Sequence, residues 1–242
     1  MNVAIVCCLH GNERYGLEVV KGLLIPLPFF IGNIRALIEN KRFIDCDLNR
    51  VFPGRQDGDY ENRRAYKLVE KLSNFDYVLD LHSSSNHCPL FGIITRPNEE
   101  KINLAKKMKL KRLVIMPERV VGGKALIDFV KCGISLEIGP HNKKRNINEV
   151  VNVINNLFQE ENKSSDLKIF EFIKKVDKNC EKVLIKNFEK VKKGQLIAEG
   201  STGKKQFAEF DFIAVLVNEK AYKDLLCFGC KQVNLKIKKD YF

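Results

Sequence analysis

"VAIVCCLHGNERYGLEVVKGLL", residues 3–24, runs through an apolar strand, a polar turn and an amphipathic helix. The helix is expected to begin just after Glu13. The turn sets His10 and Glu13 three apart, with Gly11 and Asn12 between them, so both side chains can be aimed at one point where the strand ends. In open α/β sheets ligands collect at the carboxyl ends of strands, and a rigid opening strand is the support a pair of metal ligands needs. Alone, the spacing also fits an ordinary polar turn in which Glu13 stabilises the helix N-terminus.

The same alternation continues outward. "LPFFIGNI" (27–34), "YVLDLHS" (77–83), "FGIIT" (91–95), "RLVIM" (112–116) and "GISLEIG" (133–139) read as further strands. Between them Ala65, Leu68, Val69 and Leu72, and later Ile147, Val150, Val151 and Ile154, recur with helical period. "RPNEEKINLAKKMK" (96–109) adds a helix with acidic residues in its first turn, where the helix dipole favours them. Strands alternating with amphipathic helices predict an α/β fold around a parallel or mixed sheet. The polar stretch "QEENKSSDLK" (159–168) breaks the pattern. Short alternating runs follow: "KIFEFIKKV", "KVLIKNF", "QLIAEG", "FDFIAVLV" and "VNLKIKK". The expected organisation is a catalytic-sized unit over residues 1–165 and a smaller β-rich unit over 166–242.

At 242 residues, 45% hydrophobic and 30% charged, the chain can bury a sizeable core. No apolar run approaches the roughly 20 residues of a membrane span. The start, "MNVAIVCCLHGNE", lacks the basic flank and cleavage site of a secretory signal, so a cytoplasmic protein is expected. Its eight cysteines are then expected to be reduced and mostly buried. Cys227 and Cys230 form a CxxC without the second pair a structural zinc site needs. The net charge of +12 raises nucleic-acid binding, but the lysines are scattered without aromatic interleaving or a binding signature, and a solvated basic surface is the expectation. A homo-oligomer is left open.

A third ligand enters with "YVLDLHSSS" (77–85), an apolar run ending in His82, with Asp80 two residues earlier on the same strand face. Two imidazoles and a carboxylate leave one coordination position open, the ligand set of hydrolytic zinc enzymes. Asp80 is a candidate to orient His82, or a structural residue. His87 and His141, which close no strand, are read as surface histidines. "GISLEIGP" (133–140) offers Glu137 as the general base, a carboxylate in an apolar strand; the alternative is an edge-strand glutamate facing water. "KRFIDCDLNRVFPG" (41–54) holds Arg42, Asn49 and Arg50, either guanidinium forks and an amide for a substrate carboxylate or a surface salt-bridge cluster with Asp45 and Asp47.

"HGNE", "RFIDCDLNRVF", "DLHSS", "LEIGP" and "VNEKAY", in this order between residues 10 and 222, resemble the aspartoacylase and succinylglutamate desuccinylase family of zinc metallocarboxypeptidase-like hydrolases. That resemblance implies a mixed sheet flanked by helices and a β-rich C-terminal domain covering the active site. It implies one Zn2+ on His10, Glu13 and His82, with Glu137 as general acid/base and Arg42 holding the oxyanion. Asn49, Arg50 and Tyr222 would bind the carboxylate of an N-acyl amino acid. The same residues would also serve a carboxypeptidase- or amidase-like hydrolase of another small carboxylate-bearing amide. The chain departs from the aspartoacylase pattern at the segment leading into "LEIGP", which reads "VVGGKALIDFVKCGIS" and carries no arginine. Lys124 could replace the charge with a shift in loop register, but without the planar fork of a guanidinium.

Overall fold

Strand β1 (Val3–Cys7) is buried along its whole length. Val3, Ile5 and Cys7 join one apolar cluster while Ala4 and Val6 join another, because period two sends alternate side chains to opposite faces. A strand covered on both faces needs no polar alternation, which is why it reads as one apolar run. The computed structural model describes residues 1–120, 123–140, 147–159 and 166–234.

One face of the sheet is covered by α1 (Tyr15–Gly22), α4 (Glu99–Lys107) and α5 (Ile147–Asn155), through residues such as Val19, Ile102, Ala105, Val150 and Ile154. The other is covered by α3 (Tyr60–Leu72) through Ala65, Leu68 and Leu72. Both α3 and α4 begin at side-chain caps, Asp59 accepting from Asn62 N at 2.8 Å and Asn98 from Lys101 N at 2.9 Å.

Ten strands form one mixed sheet. In chain order they are β1, β2 (Phe29–Ile31), β3 (Tyr77–Ser84), β4 (Phe91–Ile94), β5 (Arg112–Ile115), β6 (Cys132–Pro140), β7 (Lys168–Asp177), β9 (Lys190–Val191), β12 (Phe212–Val215) and β13 (Leu225–Val233). Across the sheet the order is β2-β1-β3-β6-β4-β5-β7-β13-β12-β9. Strand β3 runs parallel to β1 and β6, β4 is antiparallel to β6, and β7 is parallel to β5, so the sheet passes unbroken from the first unit into the β-rich one. A separate three-stranded sheet joins β8 (Lys182–Val183), β10 (Leu196–Glu199) and β11 (Lys205–Phe207).

Some expectations shift. "LPFFIGNI" is a strand only over Phe29–Ile31, because Asn33 leaves the sheet to cap α2 (Ile34–Glu39), accepting from Ala36 N at 3.1 Å. "KVLIKNF" pairs only over Lys182–Val183. The long strand β13 was not foreseen, and "VNLKIKK" lies mostly outside the described residues. None of the eight cysteines forms a disulfide and seven are buried, with Cys227 and Cys230 in different core clusters. Among the described residues, no helix is long and apolar enough to cross a membrane.

Candidate metal centre and substrate cavity

The turn after β1 is shaped by a close approach. A Cβ on Gly11 would sit 2.0 Å from the backbone carbon of Ala36 in α2, so only glycine fits there. His10 and Glu13 thereby turn back over the sheet, both about 4% exposed. Glu13 does not serve its helix. Its Oε1 meets His10 Nδ1 at 2.7 Å, while its Oε2 meets His82 Nδ1 at 3.2 Å and accepts from Ser83 N at 2.9 Å. His82 comes from the end of β3, on the strand face shared with Asp80.

The outer nitrogens of both rings are held by carboxylates. Asp80 Oδ2 lies 2.8 Å from His82 Nε2, and Asp47 Oδ1 lies 3.1 Å from His10 Nε2. This leaves both Nδ1 atoms turned inward beside Glu13, with the three ligand atoms within 4.8 Å of one another. A carboxylate behind each imidazole is the arrangement that orients histidines on a metal, and two nitrogens with one oxygen suit Zn2+. The donor set fits the ion. Without an ion, burial opposes charge on Glu13, yet His10 and His82 hold its carboxyl well below the usual range. Burial likewise opposes a proton on His82, but Asp80 and Glu13 raise its pKa.

Arg42 grips Asp47 through Nε and Nη2, at 3.2 and 2.9 Å, and reaches Glu13 Oε1 at 3.5 Å. Burial works against its charge, but Asp47 and Glu13 outweigh it and raise the guanidinium pKa. The loop carrying Arg42 is tied down by the buried Glu61, which accepts from Ile44 N at 2.7 Å, Asp45 N at 3.0 Å and Asn33 Nδ2 at 2.9 Å. Glu61 also belongs to a second group of potential ligands, with Cys46 and Asp59. Its oxygens are taken by these donors and Asp59 caps α3, so that group braces the loop.

Asn49 and Arg50 sit in a 3₁₀ turn (Leu48–Arg50). Asn49 Oδ1 accepts from Leu126 N at 2.9 Å, and its Nδ2 lies 3.4 Å from His82 Nε2. Arg50 donates to Asn49 O at 2.7 Å and to the Tyr222 hydroxyl at 2.9 Å, across 172 residues of chain. Glu137 is not on an edge. Strand β6 lies between β3 and β4, and Glu137 is in register with His82 on one side and Phe91 on the other. Its carboxyl borders the cavity, yet it lies deep enough for burial to push its pKa up to about 8.

His10, Glu13, His82, Arg42, Asn49, Arg50, Glu137 and Tyr222 all line one cavity. Lys124 does not: it is exposed, and Ala125 and Ile127 take the wall instead. His87 is exposed, and His141 lies outside the described residues. Two polar residues of the site carried no signal as single residues. Asp47 sits between arginines like a surface ion-pair partner. Glu219, within "VNEKAY", is 8% exposed and accepts from Ser85 N at 2.7 Å and Ser85 Oγ at 2.6 Å. Ser83 Oγ, buried at the cavity, finds no hydrogen-bond partner among the described residues.

Residues 1–159 match the family model of the succinylglutamate desuccinylase/aspartoacylase catalytic domain. The chain belongs to this family. A probable aspartoacylase of Acaryochloris marina is 34% identical over 122 residues, 43% of this chain and 41% of that protein. The N-acyl-aromatic-L-amino acid amidohydrolase (carboxylate-forming) B of Danio rerio is 27% identical over 170 residues, 57% of this chain and 54% of its own length. The chain therefore spans about half the length of the curated relatives it matches. The crystal structure of murine aminoacylase 3 shares the fold with a TM-score of 0.76 at 21% identity, over 98% of this chain and 97% of that one.

Proposed function

We propose that the protein is a zinc-dependent amidohydrolase that removes the acyl group from a small N-acyl amino acid. One observation carries the reading: a buried His-Glu-His cluster, each imidazole backed by a carboxylate, opens into the same cavity as Glu137 and a guanidinium hydrogen-bonded to a tyrosine. Names among the relatives, aspartoacylase and N-acyl-aromatic-L-amino acid amidohydrolase, support the substrate class.

In this reading His10, Glu13 and His82 hold the ion, which when bound supplies a Lewis acid and lowers the pKa of water. Glu137 accepts a proton from the attacking water and returns it to the departing amine nitrogen. Arg42, fixed by Asp47, directs positive charge at the oxygen where negative charge develops. Arg50, Asn49 and Tyr222 bind the substrate carboxylate and so align the amide with Glu137. Residues 1–165 form the catalytic unit, and the β-rich unit of 166–242 covers the cavity with the loop that carries Glu219 and Tyr222. Eight cysteines without a disulfide suit a cytoplasmic protein.

The test joins metal analysis of the purified protein to hydrolysis of a panel of acetylated and succinylated amino acids. Stoichiometric zinc and release of free amino acid are expected. Glu137→Gln should keep the zinc and lose about 10²- to 10⁴-fold in kcat, whereas His82→Ala should lose the metal. Full turnover in both variants would refute the scheme.

A further inference from the structure

The charge around the cavity is lopsided in a way that bears on which substrate fits. Of its two guanidiniums, Arg42 is already engaged by Asp47 and Glu13. Arg50 donates to Asn49 O and the Tyr222 hydroxyl and forms no ion pair with a carboxylate among the described residues, although it lies near enough to Asp47 to help hold that carboxyl in its charged form. Among the described residues the cavity therefore offers one guanidinium fork not already paired with an acid, enough for one carboxylate. Away from the metal cluster its acids are Glu137 and Glu219, and Glu219 has no cation beside it among the described residues, only the Ser85 and Asn86 donors.

The remaining wall combines the hydroxyl residues Ser83, Ser84, Thr95 and Ser135 with an apolar surface. Ile93, Met116, Leu216 and Phe228 line the cavity and belong to a single hydrophobic cluster, in which β4, β5, β13 and the loop after β12 meet. Ile127 extends this surface where Lys124 stays outside. A second carboxylate on the substrate would be set against this apolar surface, against Glu219 or against neutral hydroxyls such as Ser83 Oγ, and would lose its hydration without gaining a second unpaired cation among the described residues. An uncharged group would instead displace water from apolar surface. Specificity of this kind comes from what the site repels as well as from what it binds.

Building on the deacylase reading above, we propose that this cavity selects N-acyl amino acids bearing a single carboxylate, with an uncharged acyl group and an apolar side chain, over dicarboxylates such as N-acetylaspartate or N-succinyl amino acids. Leucine and aspartate branch at the same carbon, so N-acetyl-L-leucine and N-acetyl-L-aspartate differ chiefly in charge. N-succinyl-L-leucine moves that charge to the acyl group.

Calorimetry on the zinc-loaded, catalytically disabled Glu137→Gln protein should show N-acetyl-L-leucine binding at least about tenfold more tightly than either dicarboxylate. Met116→Arg in the same background places a cation in the apolar wall and should narrow that gap about tenfold, while Met116→Leu should preserve it. Equal or tighter binding of either dicarboxylate, no binding of any of the three, or an unchanged gap in folded Met116→Arg protein would overturn the proposal. If Met116→Arg does not fold, the three affinities of the parent protein decide. Turnover by the wild type separates the two claims. Selective binding without cleavage defeats the hydrolase reading and leaves the selectivity standing. Cleavage of all three with equal kcat/KM keeps the hydrolase and removes the selectivity.

Discussion

Glu137 is flanked on one side by His82 and on the other by Phe91, and burial, the largest influence on it, lifts its carboxyl from the ordinary 4.5 to about 8. Between those values the folded, metal-free chain holds a proton there that the unfolded chain has released. Stability contributed at this position is therefore lost as pH rises from about 4.5 to about 8. The chelated wild type should lose thermal stability across that window relative to chelated Glu137→Gln, and parallel midpoint curves would contradict the assignment. Asp47 and Asp80 act one atom further out. Asp47→Asn or Asp80→Asn should weaken zinc binding about 10- to 100-fold, read by competition with a fluorescent chelator, with the fold intact by circular dichroism. His10 and His82 were legible in the sequence because each ends an apolar run, and Glu13 because it follows His10 by three residues. Asp47 was not, since a carboxylate between two arginines looks the same on a surface as behind an imidazole. The apolar wall was not legible either: Ile93, Met116, Leu216 and Phe228 are far apart in the chain and each reads as ordinary core.

At the scale of elements, the strand-turn-helix that opens the chain depends on the contact between Gly11 and α2. Gly11→Ala would force a methyl group into the Ala36 backbone. It should cost about 2 kcal/mol or more of stability in urea unfolding and lower zinc content, because the same turn aims His10 and Glu13. Five strands of the first unit were readable because buried strands carry apolar runs, whereas β2, at the sheet edge with Phe29 exposed, was readable only in part. Helix α2 was hidden, since Asn33 and the residues after it continue the hydrophobic texture of β2 and only the cap at Asn33 marks the change. Strand β13 escaped for a related reason: its buried half, Leu225–Cys230, contains the cysteine pair, and its bulges against β7 break the alternation that announces a strand.

In the molecule as a whole, the β-rich unit is joined to the rest along the sheet, through its 217–222 loop and through Phe188, whose ring meets Phe91. Its strand β7 extends the main sheet beside β5, and its 217–222 loop is pinned by Glu219 on Ser85 and by Asn86 Nδ2 on the carbonyls of Val217 and Asn218. Removing residues 168–242 would bare the edge of β5, and that fragment should aggregate in size-exclusion chromatography. Glu219→Ala strands buried donors on Ser85 at a cost of about 1–3 kcal/mol and frees the loop that holds Tyr222. The expected result is a KM raised about tenfold with zinc retained, and Tyr222→Phe should shift KM in the same direction with no loss of stability.

The 172-residue separation between Arg50 and Tyr222 also sets an order of events during synthesis. A ribosome releases both histidines and Glu13, and then Glu137, before it reaches the tyrosine. Under the proposed assignment, the nascent chain thus carries the groups meant for the ion and the proton before the loop that closes over them. Along the polypeptide, the floor of the pocket is laid down ahead of its roof.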